Sequence, residues 1–137
     1  MTAPRLNVLL VDDNDDDNFV HRRVVEQIGV NARVSVFQQA QQALDYLRTT
    51  DRDPVDIVFL DISMPRMTGF EFMEAFDQLP RALRVGVVVI FLSASMNPAD
   101  VDRALKTANA RGFLNKPLSR AKFNDVVNEY FDVATAS

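Results

Sequence analysis

The sequence predicts an α/β fold, a doubly wound parallel sheet of five strands, and three observations carry that prediction. Five short apolar runs, 6–11, 32–37, 56–60, 85–92 and 112–114, punctuate the chain. After each of them apolar residues recur at helical spacing, so the order reads strand then helix five times over. The first, third and fourth runs are almost continuously hydrophobic, as expected of parallel strands covered by helices on both faces. Such alternation closes through right-handed crossovers.

The first strand, LNVLLV, runs into a crowd of carboxylates, VDDNDDDN at 11–18. Asn14 is a good N-cap candidate. Asp15, Asp16 and Asp17 then fill a first helical turn, where the dipole favours negative charge by about 0.3–1 kcal/mol each at most. That helix carries Val20, Val24 and Ile28 spaced by four, with Phe19 and Val25 beside them and Gly29 where it should stop. Arg22 and Arg23 read as solvated neighbours answering the acidic turn. The second helix presents Ala40, Ala43, Leu44 and Leu47, and the third Phe72, Phe76 and Leu79. A fourth, with Val101, Ala104, Leu105 and Ala108, starts at Asn97-Pro98. A fifth, with Phe123, Val126, Val127, Tyr130 and Phe131, starts at Ser119. No repeat, low-complexity tract or linker interrupts the pattern, so residues 1–137 are expected to form one domain with no output domain.

Composition narrows the function classes. An apolar fraction of 47% over 137 residues supports one real core and argues against disorder. A net charge of −4 argues against a sequence-independent grip on nucleic acid. No apolar run approaches the roughly 20 residues that span a bilayer, and the one at the N-terminus is too short for a signal segment. With no cysteine there is no disulfide framework or thiolate chemistry, and a cytoplasmic protein is the plain expectation.

In open parallel sheets the functional residues collect at the carboxyl ends of the strands. Here those ends carry Asp12 and Asp13, Asp61, Ser93 and Lys116. Crowded carboxylates repel unless a cation joins them, and all-oxygen ligands favour a hard divalent ion, with Mg²⁺ the leading candidate. A lysine and a hydroxyl added to that set suggest a site for a phosphoryl group. Only four glycines occur and none builds a phosphate loop, so side chains and metal must do the holding. A carboxylate nucleophile forming an acyl phosphate fits this arrangement.

Four pieces, VLLVDDN, IVFLDISMPRMTGFE, FLSAS and GFLNKP, together resemble the response-regulator receiver domain of two-component signalling, over roughly residues 5–132. Separations of 48 residues from Asp13 to Asp61, 32 to Ser93 and 23 to Lys116 suit that family. The resemblance implies a flavodoxin-like (β/α)5 fold with strand order 2-1-3-4-5. It implies that Asp61 accepts a phosphoryl group from a phosphohistidine on a sensor histidine kinase or a histidine phosphotransfer protein. Asp12, Asp13, Asp61 and the backbone carbonyl of Ser63 would hold Mg²⁺. Lys116 would pair with a phosphoryl oxygen, and Ser93 would donate its hydroxyl to another. Phe113 stands at the family's switch aromatic, although a core phenylalanine explains it equally well. The side chains of Ser63 and Ser95 fall where the family modulates phosphoryl lifetime, and Lys116-Pro117 where it often has a cis peptide.

The resemblance also implies a signalling phosphoacceptor that catalyses its own phosphorylation and slow dephosphorylation, not a turnover enzyme. Its signal would leave by contact with a downstream protein or by onward phosphotransfer. The face of the predicted fourth helix, fifth strand and fifth helix is the family's usual partner and dimer surface. Arg103, Lys106, Arg111, Arg120 and Lys122 lie near it, with solvated charge as their default explanation. His21, the single histidine, lacks the helical-bundle setting of a phosphorelay donor and is expected at the surface. Two other readings fare worse. A phosphatase of the haloacid dehalogenase type needs an acid two residues after its nucleophile, where this chain has Ser63. A flavin binder needs a Ser/Thr/Gly-rich loop after the first strand, where this chain has acids.

Overall fold

The computed structural model describes residues 6–27 and 31–131. Ile28 and Gly29, expected at the end of the first helix, lie outside them. Strands β1 (Leu6–Val11), β2 (Ala32–Phe37), β3 (Ile57–Leu60), β4 (Val88–Ser93) and β5 (Ala110–Asn115) form one parallel sheet in the order 2-1-3-4-5. Helices α1 (Asp15–Gln27), α2 (Ala40–Arg48), α3 (Gly69–Asp77), α4 (Arg81–Arg84), α5 (Pro98–Lys106) and α6 (Arg120–Tyr130) connect and cover it.

Strand alternation sorts the core into two layers. Leu9, Val11, Val58, Leu60, Val89 and Phe91 pack under α2, α3 and α5, against Leu44, Phe72, Phe76 and Ala104. Val8, Leu10, Ile57, Phe59, Ile90 and Leu92 point the other way, onto Val25 of α1 and onto Phe123, Val126 and Val127 of α6. The three central strands are therefore buried along their length, which explains their continuous hydrophobicity. None of the described helices is long and apolar enough to cross a membrane.

The helix starts follow the expected chemistry. Asn14 accepts from Asp17 N at 3.0 Å, Asn97 from Ala99 N at 2.9 Å, and Ser119 from Lys122 N at 3.2 Å. Thr68 and Glu71 form a capping box on α3.

Several local expectations are corrected. The fourth strand begins at Val88, not at residue 85, because residues 81–84 form a single helical turn too short to show periodicity. Val85 is exposed after that turn, and Gly86 follows with φ +83. The fifth strand extends beyond 112–114 at both ends. On α5, Leu105 points to solvent, and Ala108 lies beyond the helix.

The largest correction is in α1. Its buried positions are Asn18, His21 and Val25, while Phe19 and Val20 are exposed. The inward stripe runs at spacings of three and four from a polar residue, and apolarity alone selects the wrong face. His21, expected at the surface, is only 2% exposed. Burial holds its pKa below the ordinary 6.5, the charge of Lys116 lowering it further and those of Asp17 and Asp12 opposing. Arg22 and Arg23 do not answer the acidic turn. Arg22 pairs with Glu26 at 3.4 Å, and Arg23 lies over the ring of Phe19.

Candidate functional site

The site forms because β1 and β3 are hydrogen-bonded neighbours although a strand and two helices separate them in the chain. Their register pairs Val11 with Leu60, so the next residues, Asp12 and Asp61, leave the sheet side by side. Asp61 N donates to Val11 O at 2.9 Å, and Asp12 N to Phe37 O at 3.0 Å. On the other side, β4 and β5 pair Ser93 with Asn115, and Lys116 N donates to Ser93 O at 2.8 Å. The Lys116-Pro117 peptide is cis.

Oxygen atoms of Asp12, Asp13 and Asp61 all lie within 4.8 Å of one another. Asp12 and Asp61 are buried and Asp13 is exposed, so the group opens to water on one side. Three carboxylates with solvent access suit a hard cation that keeps part of its hydration shell.

Lys116 lies across this group. Its Nζ is 2.6 Å from Asp12 Oδ2, 2.8 Å from Asp17 Oδ2 and 3.6 Å from Asp61 Oδ1. Burial works against the ammonium, but hydrogen bonds to Asp12 and Asp17 and the charge of Asp61 outweigh it and raise its pKa. Asp61 moves the other way from a typical paired carboxylate. Burial first, and then the charge of Asp12, push its pKa up to about 6, with Lys116 and the Ser63 N–H opposing and Asp13 adding to the rise. In the metal-free protein one ammonium does not balance the carboxylates around it.

The remaining candidates are nearby but less engaged. Ser93 is buried, and its Oγ accepts from Ser95 N at 3.1 Å and makes no hydrogen bond to Asp61. Ser95 Oγ accepts from Asn97 N at 3.2 Å. Ser63 is exposed, and its backbone N–H works to lower the pKa of the Asp61 carboxylate. Phe113 is half-buried against the core layer of α3 and α5.

Three residues of the site escaped sequence reasoning. Asp17, assigned to the helix start, contacts Lys116 across 99 residues of chain, which no local spacing signals. Asn18 donates from Nδ2 to Asp12 O at 2.8 Å and is buried, tying α1 to the strand end. Gly69 N donates to Ile62 O at 2.8 Å, and a Cβ at Gly69 would stand 2.6 Å from Asp61 O. Backbone occupies that space, so Gly69→Ala must displace the acceptor loop or α3. Overpacking of this kind costs about 1–3 kcal/mol. The expected outcome is a lower melting temperature together with weaker Mg²⁺ binding, read by thermal melts with and without the metal.

A doubly wound sheet in the order 2-1-3-4-5, with helices on both faces, is a flavodoxin-like fold. The chain belongs to the response regulator receiver domain family, whose model matches residues 8–128. Receiver domains are the phosphoryl-accepting modules of two-component signalling. The chain is 30% identical over 130 residues to the two-component response regulator ORR41 of Oryza sativa subsp. japonica, covering 95% of this chain and 98% of that protein. It is 30% identical over 122 residues to the sensory/regulatory protein RpfC of Xanthomonas campestris pv. campestris. There it covers 89% of this chain but only 16% of the relative. Among solved structures it resembles the receiver domain of the sensor histidine kinase PA1611 of Pseudomonas aeruginosa PAO1, determined with a magnesium ion coordinated in the active-site cleft. That match has 22% identity and a TM-score of 0.76, over 93% of this chain and 98% of that one.

Proposed function

We propose that Asp61 is the phosphoacceptor of a Mg²⁺-dependent response regulator working in the cytoplasm. The observation that supports this is the convergence of Asp12, Asp13 and Asp61 within 4.8 Å, with the Lys116 ammonium 3.6 Å from Asp61 Oδ1. Asp12, Asp13, Asp61 and the Ser63 carbonyl are the residues that would hold the metal. When bound, Mg²⁺ supplies positive charge to the phosphoryl oxygens.

An Asp61 carboxylate oxygen attacks phosphorus and forms the O–P bond. The P–N bond to the donor imidazole breaks, and its electron pair stays on the leaving nitrogen. Lys116 donates to an oxygen of the transferred group and offsets its growing charge. Ser93, whose Oγ has no acidic partner here, turns to donate to another oxygen, and Phe113 follows inward. Ser63 and Ser95 flank the site and modulate how long the adduct survives. Hydrolysis of that acyl phosphate is slow, so the reaction serves signalling and not turnover.

The donor is a sensor histidine kinase or a histidine phosphotransfer protein. Output, or phosphorylation-dependent pairing with a second copy, uses the face of α5, β5 and α6. Exposed Leu105 of α5 supports that face as a contact surface. Its basic residues are partly committed within the chain: Lys106 pairs with Asp102 at 2.9 Å, Lys122 donates to the carbonyls of Asn115 and Pro117, and Arg103 lies over Phe70.

The test is incubation with acetyl phosphate, read by intact mass and peptide mapping. One hydroxylamine-sensitive adduct on the peptide containing Asp61, formed with Mg²⁺ and absent without it, is expected. An adduct that forms equally well in EDTA, or maps elsewhere, overturns the proposal.

A further inference from the structure

We infer that Asp17 is a positioning residue that competes with the phosphoryl group for Lys116 and strengthens the hold on the divalent cation. The inference rests on the phosphoacceptor reading above. Of the three acids in the first turn of α1, only Asp17 reaches the site. Asp15 accepts from Gln38 Nε2, and Asp16 is exposed without a partner among the described residues. Asp17 Oδ2 takes a hydrogen bond from Lys116 Nζ at 2.8 Å, across 99 residues of chain. A helix-dipole role alone would not require that contact.

The geometry gives Asp17 opposite effects on two ligands. The lysine is hydrogen-bonded to Asp12 and Asp17 and only within ion-pair range of Asp61. Asp17 thus shares the ammonium with Asp12 and holds it off Asp61, leaving Asp61 less neutralised and adding its own negative charge beside the cation site. A phosphoryl group on Asp61 meets the reverse situation. It must take Lys116 away from Asp17, and it brings its own negative charge toward another carboxylate. One charge thus strengthens cation binding while weakening the modified state.

The experiment measures two affinities of the full chain, for Mg²⁺ and for beryllofluoride at saturating Mg²⁺, in wild type, Asp17→Asn and Asp16→Asn. Asparagine keeps an acceptor for the lysine and removes only the charge. Asp17→Asn is expected to bind Mg²⁺ about threefold to tenfold more weakly and beryllofluoride tighter by a similar factor, the scale of one charge across a partly exposed rim. Asp16→Asn should match wild type in both. Weakening of both ligands in Asp17→Asn would mean that the residue only supports the fold, and no change in either would mean that the contact carries no energy; each overturns the inference. Wild type that binds neither Mg²⁺ nor beryllofluoride would instead overturn the phosphoacceptor reading itself.

Discussion

Asp61→Asn is expected to abolish the acyl-phosphate adduct and, in the same protein, to raise the melting temperature of the metal-free form at neutral pH. The first effect follows from chemistry, since an amide cannot form the acyl phosphate. The second follows from burial. A carboxyl whose native pKa is about 6, against the ordinary 3.8, holds its proton more tightly folded than unfolded. Below about pH 4 both states are protonated and the group is neutral in the balance. Between about pH 4 and about pH 6 the unfolded chain ionises this group while native Asp61 keeps its proton, so stability falls, and above about 6 both states are charged and the fall levels off. Asparagine removes that penalty. The expected gain at pH 7 is roughly 1–2 kcal/mol, below the full value of the shift because solvent reaches the rim. For a domain of this size it corresponds to a few degrees. Thermal melts in EDTA from about pH 4 to about pH 8 should show the mutant's advantage opening through this window and then levelling. Saturating Mg²⁺ should shrink or reverse it, because wild type gains more from the metal. A mutant no more stable than wild type at pH 7 in EDTA would contradict the electrostatics.

Lys116→Met is expected to do the opposite. The methionine keeps an apolar stem of similar length but leaves Asp12 and Asp61, 4% and 7% exposed, without their shared cation. Uncompensated buried charge of this kind costs about 3–5 kcal/mol, and the open side of the rim places this site at the low end. Without the ammonium Asp61 is harder to ionise, so the native state gains from its protonation. The loss should therefore be smaller near pH 5 than near pH 8, and Mg²⁺ should restore part of it. Urea unfolding at the two pH values, with and without the metal, provides the measurement. Stability equal to wild type at pH 8 would mean that the lysine does not balance the site. Some phosphorylation should survive in this variant, whereas phosphorylation-dependent partner binding should not.

Most of this architecture is written in local pattern. Continuous apolar runs marked β1, β3 and β4, because strands covered on both faces have no polar side to show. Asn14, Asn97 and Ser119 marked helix starts because orphan amides need an acceptor there. Asp12, Asp13, Asp61, Ser93 and Lys116 were legible as strand-end residues and gained meaning from their motif order. What failed was local pattern beside the acids. His21 and Asn18 look like surface residues of α1, yet they face inward, and Phe19 and Val20 look like core and face water. The helix is turned by its seat over a polar strand end, and no hydrophobic period can register that. The turn of Arg81–Arg84 is invisible in the sequence because four residues carry no period, and its apolar neighbour Val85 reads as strand.

The run VDDNDDDN shows where the division falls. Sequence alone determined that it joins a buried strand to a helix, and that its first two acids sit at a strand end suited to a hard cation. Only the tertiary structure decided that Asp17 belongs with them, because its partner lies 99 residues away and reaches it across the sheet's carboxyl edge. Local spacing fixes which backbone atoms need satisfying. Which charges share one ammonium depends on strand order and register, and those are set by the packing of the whole sheet.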